Sequence, residues 1–336
     1  MSNFLAKTLD DETYWRSIIL FGRNVASYKF ALARSLFEVA QCDNDLVKLE
    51  ELAEPFSRNI CQHIHDAPIQ ATSKSSRFLE ACKKFNQLEI DQNQLHDLTV
   101  RLGFNNVIDA FHVVNGSDVP TRFFHDERKS NGGIRLTTEA YSLLSGVNAG
   151  TLDFEVQSRW HLVEKAWELN ISRKLITVKH SSGSGNFFVE NGNTRVNVTS
   201  ARGALNGYQK GHCFFCFAPI SITNLDLMPD VDHFFPHVLG DFITHTDFDG
   251  IWNLTLSCKD CNQRKSAKLT SIKLLRRLHT RNEFLITSHH PLRETLIQQT
   301  GSNAEDRKHF LQFQFDEAKK ILIHEWEPSA RGRELF

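Results

Sequence analysis

Four of the seven cysteines stand in two Cys-x-x-Cys pairs, Cys213/Cys216 and Cys258/Cys261. Each pair can present two thiolates from one tight turn, and Zn²⁺ accepts four such sulfurs in a tetrahedral site. The pairs therefore predict a closed structural zinc site. Their separation exceeds the roughly 15–20 residues of a simple zinc ribbon, so the intervening segment has room for a second function.

The segment between the pairs contains residues suited to phosphodiester hydrolysis. Asp232-His233 is followed by Asn253, and Asn262 comes directly after the last cysteine. A neutral histidine can take a proton from water near pH 7, and the oxygens of Asp and Asn suit Mg²⁺ or Mn²⁺. We therefore expect His233 to be the general base, with Asp232 and Asn262 as ligands of the catalytic metal.

This stretch resembles the HNH endonuclease family over about residues 205–270, with three matching pieces: Asp232-His233, Asn253-Leu254 and Cys261-Asn262-Gln-Arg-Lys265. The resemblance implies a ββα-metal unit that carries zinc knuckles, with Asp-His on its first strand. It also implies that Asn253 orients the His233 imidazole. DNA cleavage would then leave a 5′-phosphate and a 3′-hydroxyl.

A different metal site is conceivable, because Cys-x2-Cys followed by His233 and His237 is similar to a zinc finger that reads DNA. Pro236 argues against it, since a finger requires a continuous helix between the histidines. This alternative also leaves the second cysteine pair without partners.

The stretch from His233 to Asn253 is longer than in compact members of the family, and it brings several more polar residues near the site. We keep His237 as an additional metal ligand. The others are assigned to an exposed loop: His245, Asp247 and Asp249.

Basic residues are dense after the second cysteine pair, although the whole chain has a net charge of only −1. A run of charge is usually a solvated helix face, but here it adjoins the predicted site, where Lys and Arg can contact phosphates. The preferred nucleic-acid contacts are Arg264, Lys265 and Lys268. The full set is Lys259, Arg264, Lys265, Lys268, Lys273, Arg276, Arg277 and Arg281.

The periodicity of apolar residues predicts an α+β chain in four segments. These are a mainly helical domain (1–115), a mixed α/β region with a β-hairpin (116–200), the nuclease domain (201–281) and a helical extension (282–336). Within the first, residues 11–40 are expected to form one long helix, and Pro55 to divide the next. His63 and His65 beside Cys61 could be metal ligands, but such residues more often have no such role.

The function predicted from these observations is a metal-dependent endonuclease that acts on DNA, with a possible place in bacterial restriction or antiviral defence. RNA cleavage and a non-catalytic zinc-containing module that binds nucleic acid remain as alternatives. A homodimer or a defence-system protein is the expected partner. We expect a cytoplasmic protein, because the sequence has neither a signal peptide nor a run of about 20 apolar residues.

Overall fold

The structure is a computed structural model that describes residues 10–21, 26–40, 44–72, 75–114, 116–168, 178–181, 186–191, 194–288, 290 and 292–336. The described residues divide into two compact units, one within residues 9–170 and one within residues 171–336. These units do not follow the four predicted segments. Residues 116–168 belong with the first unit, and the strands of residues 178–200 belong with the second.

The first unit is built from helices around a small antiparallel sheet, in which strand Gly133–Leu136 lies between strands Leu46–Lys48 and Phe124–Glu127. Its helices are α1 Asp11–Phe21, α2 Tyr28–Val39, α3 Leu49–Asp66, α4 Arg77–Asn86, α5 Gln92–Leu102, α6 Val107–Ala110, α7 Arg128–Asn131, α8 Thr138–Leu144 and α9 Ala149–Glu168. Its strands are β1 Leu46–Lys48, β2 Val113–Val114, β3 Ser117–Asp118, β4 Phe124–Glu127 and β5 Gly133–Leu136.

Large apolar side chains fill the interior of this unit. Trp15, Phe30, Phe56 and Trp160 are almost completely buried. They come from four different helices, α1, α2, α3 and α9, so each helix contributes one face to a shared core. The first unit therefore has a hydrophobic core of its own.

Two helix predictions for this unit were wrong. The helix expected over residues 11–40 is two helices, α1 and α2, and residues 22–25 between them lie outside the described residues. Pro55 does not divide α3, which runs unbroken from Leu49 to Asp66. The carbonyl that loses its partner to Pro55 belongs to Glu51, an exposed residue, where water can replace the missing hydrogen bond.

The second unit begins with an antiparallel sheet and one helix. Its strands are β6 Val178–Ser181, β7 Asn186–Asn191 and β8 Thr194–Ser200, in the order β6-β7-β8. The predicted β-hairpin is confirmed, since β6 pairs antiparallel with β7, and β8 adds a third strand to the sheet. Helix α10 (Ala201–Gln209) follows β8 directly.

The part of the second unit between the cysteine pairs forms two short strands and a helix. Strand β9 (Asp230–His233) pairs antiparallel with β10 (Leu254–Ser257), so that His233 lies opposite Leu254 and Asp232 opposite Thr255. Helix α11 (Lys259–Lys265) starts immediately after β10. Short 3₁₀ turns occupy the connections: Leu225–Leu227, His237–Asp241 and Ile251–Asn253.

Helices complete the second unit. They are α12 Ile272–Thr287, α13 Arg293–Thr300 and α14 Ala304–Ile321, and a parallel pair of short strands, β11 Leu269–Thr270 and β12 Glu325–Trp326, joins the two ends of this segment. The whole is a mixed arrangement of helices and small sheets. Among the described residues, no helix has the length and apolar character needed to cross a membrane.

Candidate metal centre and active site

The four paired cysteines form one compact cluster. Their sulfur atoms all lie within 4.8 Å of one another. Cys216 Sγ is 3.8 Å from Cys258 Sγ. That is about the separation of two sulfurs that each lie roughly 2.3 Å from a tetrahedral zinc ion. The cluster can therefore hold a metal ion such as zinc, and it includes both cysteine pairs rather than the histidines of a finger.

The first cysteine pair lies on a tight turn. Phe217 adopts the left-handed region with φ of 61°. Its N–H donates to the Cys213 carbonyl at 3.1 Å. The next amide, that of Ala218, donates to Cys216 Sγ at 3.4 Å. The turn thus presents both sulfurs on one side and stabilises negative charge on Cys216.

The second pair lies at the start of helix α11. Cys258 is its N-cap residue, and Cys261 falls in its first turn. The positive end of the helix dipole favours thiolate there. Hydrogen bonds with Cys213 lower the pKa of Cys216, and they lower that of Cys258 to about 6. Metal binding requires the thiolate form of the cysteines, and these contacts favour that form at Cys216 and Cys258.

A segment near the C-terminus closes over the first turn. The amides of Arg331 and Gly332 both donate to the Cys216 carbonyl, at 2.8 and 3.2 Å. Phe336 packs against Phe214, with ring centroids 6.2 Å apart. No local sequence pattern predicts this contact, because it joins residues more than a hundred positions apart.

Strand β9 and helix α11 are joined by a buried ion pair. Lys265 Nζ lies 3.0 Å from Asp232 Oδ1, and the two side chains are 2% and 7% exposed. Burial raises the pKa of Asp232, and the Lys265 ammonium opposes that rise. The other oxygen, Asp232 Oδ2, is buried and has no hydrogen-bond partner among the described residues. Lys265 therefore lies inside the unit, not on the surface where a phosphate contact was expected.

The predicted ligand Asn262 has a carboxylate partner that the sequence interpretation missed. Asn262 Nδ2 donates to Asp230 Oδ2 at 2.9 Å. Asp230 and Asp232 share one face of β9, because alternate residues of a strand point the same way. The Asp-x-Asp spacing on a predicted strand was the signal that could have identified Asp230. Lys265 and Asp230 thus hold the two predicted Mg²⁺ ligands, and the structure by itself does not support a catalytic Mg²⁺ or Mn²⁺ here.

The predicted base, His233, is paired with a carboxylate that had been assigned to an exposed loop. His233 Nε2 lies 2.9 Å from Asp249 Oδ1, and the imidazole is only 15% exposed. Burial lowers the pKa of His233, and Asp249 opposes that shift. The ring is therefore neutral near pH 7, with a carboxylate to stabilise it once it accepts a proton. His237 is 68% exposed, with Nε2 3.5 Å from the same Asp249 oxygen.

Asn253 holds the backbone around this pair. It is fully buried, and its amide accepts from Phe235 N at 2.7 Å. It donates to the carbonyls of Phe235 and Phe248 at 2.9 and 2.8 Å. These bonds differ from the direct orientation of the imidazole that was expected. Asn253 instead ties the chain just after His233 to the chain just before Asp249, and so positions both through the backbone.

The basic residues separate into an exposed and an internal group. Arg277 donates to the Phe214 and Phe215 carbonyls, and the buried Arg281 donates to the carbonyls of residues 251 and 252. These two arginines support the fold. The exposed group consists of Lys259, Arg264, Lys268, Lys273 and Arg276.

Replacing Lys265 by methionine should destabilise the second unit by about 3 kcal/mol, because it leaves the Asp232 carboxylate buried without a cation. Burial already raises the Asp232 pKa, and the variant raises it further. The folded state then binds a proton more readily than the unfolded state, so the loss of stability should shrink as the pH falls from neutral toward the pKa of an unfolded aspartate, about 3.9. Urea unfolding in magnesium-free buffer measures both effects. The double variant Lys265→Met with Asp232→Leu should recover most of the loss, and equal instability of the single and double variants would contradict the pairing.

In comparisons with known proteins, no protein family, no curated protein and no solved structure matches this chain. The functional interpretation therefore depends on the motif and on the geometry around it.

Proposed function

We propose that the second unit is a metal-dependent HNH-type endonuclease that hydrolyses phosphodiester bonds in DNA. The observation that carries the proposal is the pairing of the partly buried His233 with the more exposed Asp249 at the end of β9, one residue from Asp232. This pair lies within two strands and a helix bracketed by the four-cysteine cluster. A neutral histidine backed by a carboxylate is suited to activating water.

His233 acts as general base in this mechanism. With its proton on Nε2, the ring donates to Asp249 Oδ1, and Nδ1 is then the basic nitrogen. As His233 accepts the proton of the attacking water, Asp249 stabilises the imidazolium. Asp249 is a positioning residue, because it acts on the reaction through His233. Asn253 maintains their geometry by fixing the backbone next to each of them.

Zinc in the cysteine cluster has a structural role, since four thiolates leave no open coordination position. A catalytic Mg²⁺ or Mn²⁺ would be held by the oxygens of Asp232 and Asn262. Asp232 Oδ2 is suited to this role, because it is buried and has no hydrogen-bond partner among the described residues. When bound, that ion supplies positive charge to the scissile phosphate. Lys265 favours the ionised form of the buried Asp232 carboxylate, and Asp230 orients the Asn262 amide.

DNA would be held by the exposed basic residues on and beyond α11. Arg264 is 63% exposed on its side chain, and it pairs with Asp260 at 2.9 Å. Lys268 is exposed, and its Nζ donates to the Arg264 carbonyl at 3.0 Å. Contacts of this kind bind phosphates without regard to base sequence. A single site of this type cuts one strand, so a double-strand break would need a second copy of the chain or repeated nicking.

The test of the substrate uses the purified full chain with Mg²⁺, supercoiled plasmid and end-labelled RNA offered in parallel. We expect nicked circles from the plasmid and no cleavage of the RNA. Cleavage of RNA alone would replace DNA by RNA as the substrate. Binding to both nucleic acids without cleavage, in Mg²⁺ and in Mn²⁺, would indicate a non-catalytic binding module and would contradict the proposed enzymatic activity.

A further inference from the structure

The first unit contains a cluster of metal-ligating side chains far along the chain from the cysteines. His63 lies in the last turn of α3, and His161 and Glu164 lie on α9. One ligand atom from each of the three lies within 4.8 Å of the other two. The spacing of three between His161 and Glu164 places them on one face of their helix, toward His63.

Two members of the cluster, His63 and Glu164, are buried, and Gln70 and Trp160, which are not proposed ligands, hold them in place. His63 and Glu164 are 4% and 3% exposed. Glu164 Oε1 contacts both His63 Nδ1 and Gln70 Nε2 at 2.6 Å. The Trp160 ring stacks on His63, with centroids 3.5 Å apart and planes inclined by 2°. Trp160 in turn donates to Gln70 at 2.9 Å, so one network fixes the orientation of the imidazole and the carboxylate.

Partners of this kind are typical of metal sites, where residues behind the ligands set their orientation. A simple buried hydrogen bond would explain why His63 and Glu164 lie together. It would not explain why the third side chain, His161, lies beside them. His161 lies beside them, with its ring centroid 5.3 Å from that of His63, and an imidazole binds a metal ion in its neutral form.

We propose that His63, His161 and Glu164 bind a divalent transition-metal ion, with Zn²⁺ as the probe. Two imidazoles and one carboxylate are a donor set that zinc accepts with a fourth position left for water or another ligand. The same set suits Fe²⁺, whereas Mg²⁺ and Ca²⁺ prefer oxygen ligands throughout. The ion takes the place of the hydrogen bond that joins His63 to Glu164.

The test is the zinc content of the full chain after equilibration with Zn²⁺ and removal of free metal. His161→Ala should bind one ion fewer per chain than the unmodified protein. The matched control is His65→Ala, which removes a histidine from the same end of α3 whose side chain is 82% exposed and bonded to Asp66. It should retain the full metal content.

Equal zinc in His161→Ala and the unmodified protein would overturn the proposal, and so would an equal loss in His161→Ala and His65→Ala. Glu164→Gln is nearly isosteric and retains hydrogen bonding, so it should stay folded by circular dichroism and also bind one ion fewer. Retention of that ion in folded Glu164→Gln and His161→Ala would likewise contradict the site. Since the readout is a difference between variants, it holds whether or not the cysteines bind zinc.

Discussion

Cys216→Ser should unfold the second unit while the first unit stays folded. The cluster joins the turn at Cys213 to the start of α11, and that unit's strand pair lies between these two points. Apparent zinc-binding free energies in small zinc domains are roughly 10–16 kcal/mol, as large as the whole stability of about 5–15 kcal/mol for a typical domain. A serine in this position removes a thiolate ligand and leaves the remaining thiols buried around an incomplete site.

Hydrogen exchange on the full chain, with zinc content measured on the same samples, would detect this result. Amides of β9, β10 and α11 should lose protection in Cys216→Ser, and removal of zinc by a chelator should give the same pattern. The matched control is Cys61→Ser, which changes the same atom in a buried cysteine of the first unit. It should leave the second unit protected. Full protection of β9 and β10 in zinc-free Cys216→Ser would contradict a structural role for the cluster.

The cysteine cluster was predictable because the motif itself encodes its geometry. Two Cys-x-x-Cys turns each present their sulfurs locally, so only one non-local association had to be inferred. The two short strands and the helix around the cluster were implied by the family resemblance and not by apolar periodicity.

The polar partners were harder to predict, since they depend on how distant segments pack. Asp249 meets His233 across a 16-residue separation, and His63 meets Glu164 across 101 residues. Lys265 resembled a surface phosphate contact because charge runs carry no information on burial. For Arg277 and Arg281, however, the sequence did contain a signal of burial. They recur at a spacing of four beside Leu274 and Leu278, which places them toward the buried side of α12.

His233→Ala should reduce DNA cleavage about 1,000-fold and leave folding and DNA binding unchanged. A general base contributes roughly 10²–10⁴-fold to rate, and the pairing with Asp249 provides for the charge that develops on His233. Binding should persist because the proposed phosphate contacts are exposed residues on and after α11. The alanine removes only a partly buried ring at the end of β9, so the four-cysteine cluster should retain its metal.

A suitable control is His309→Ala, which removes an exposed histidine on α14 in the same unit. It should cleave as fast as the unmodified chain. Equal loss of activity in both variants would indicate that the protein is damaged, not that the reaction lacks its general base. Normal zinc content and normal plasmid binding of His233→Ala would exclude such damage.

The most direct measurement is therefore the initial rate of plasmid nicking, with Mg²⁺, by the unmodified chain, His233→Ala and His309→Ala at matched DNA occupancy. An HNH-type mechanism predicts nicking by the first and third and a rate about three orders of magnitude lower for His233→Ala. Nicking by His233→Ala at the unmodified rate would show that His233 is not the general base, and would contradict the proposed mechanism.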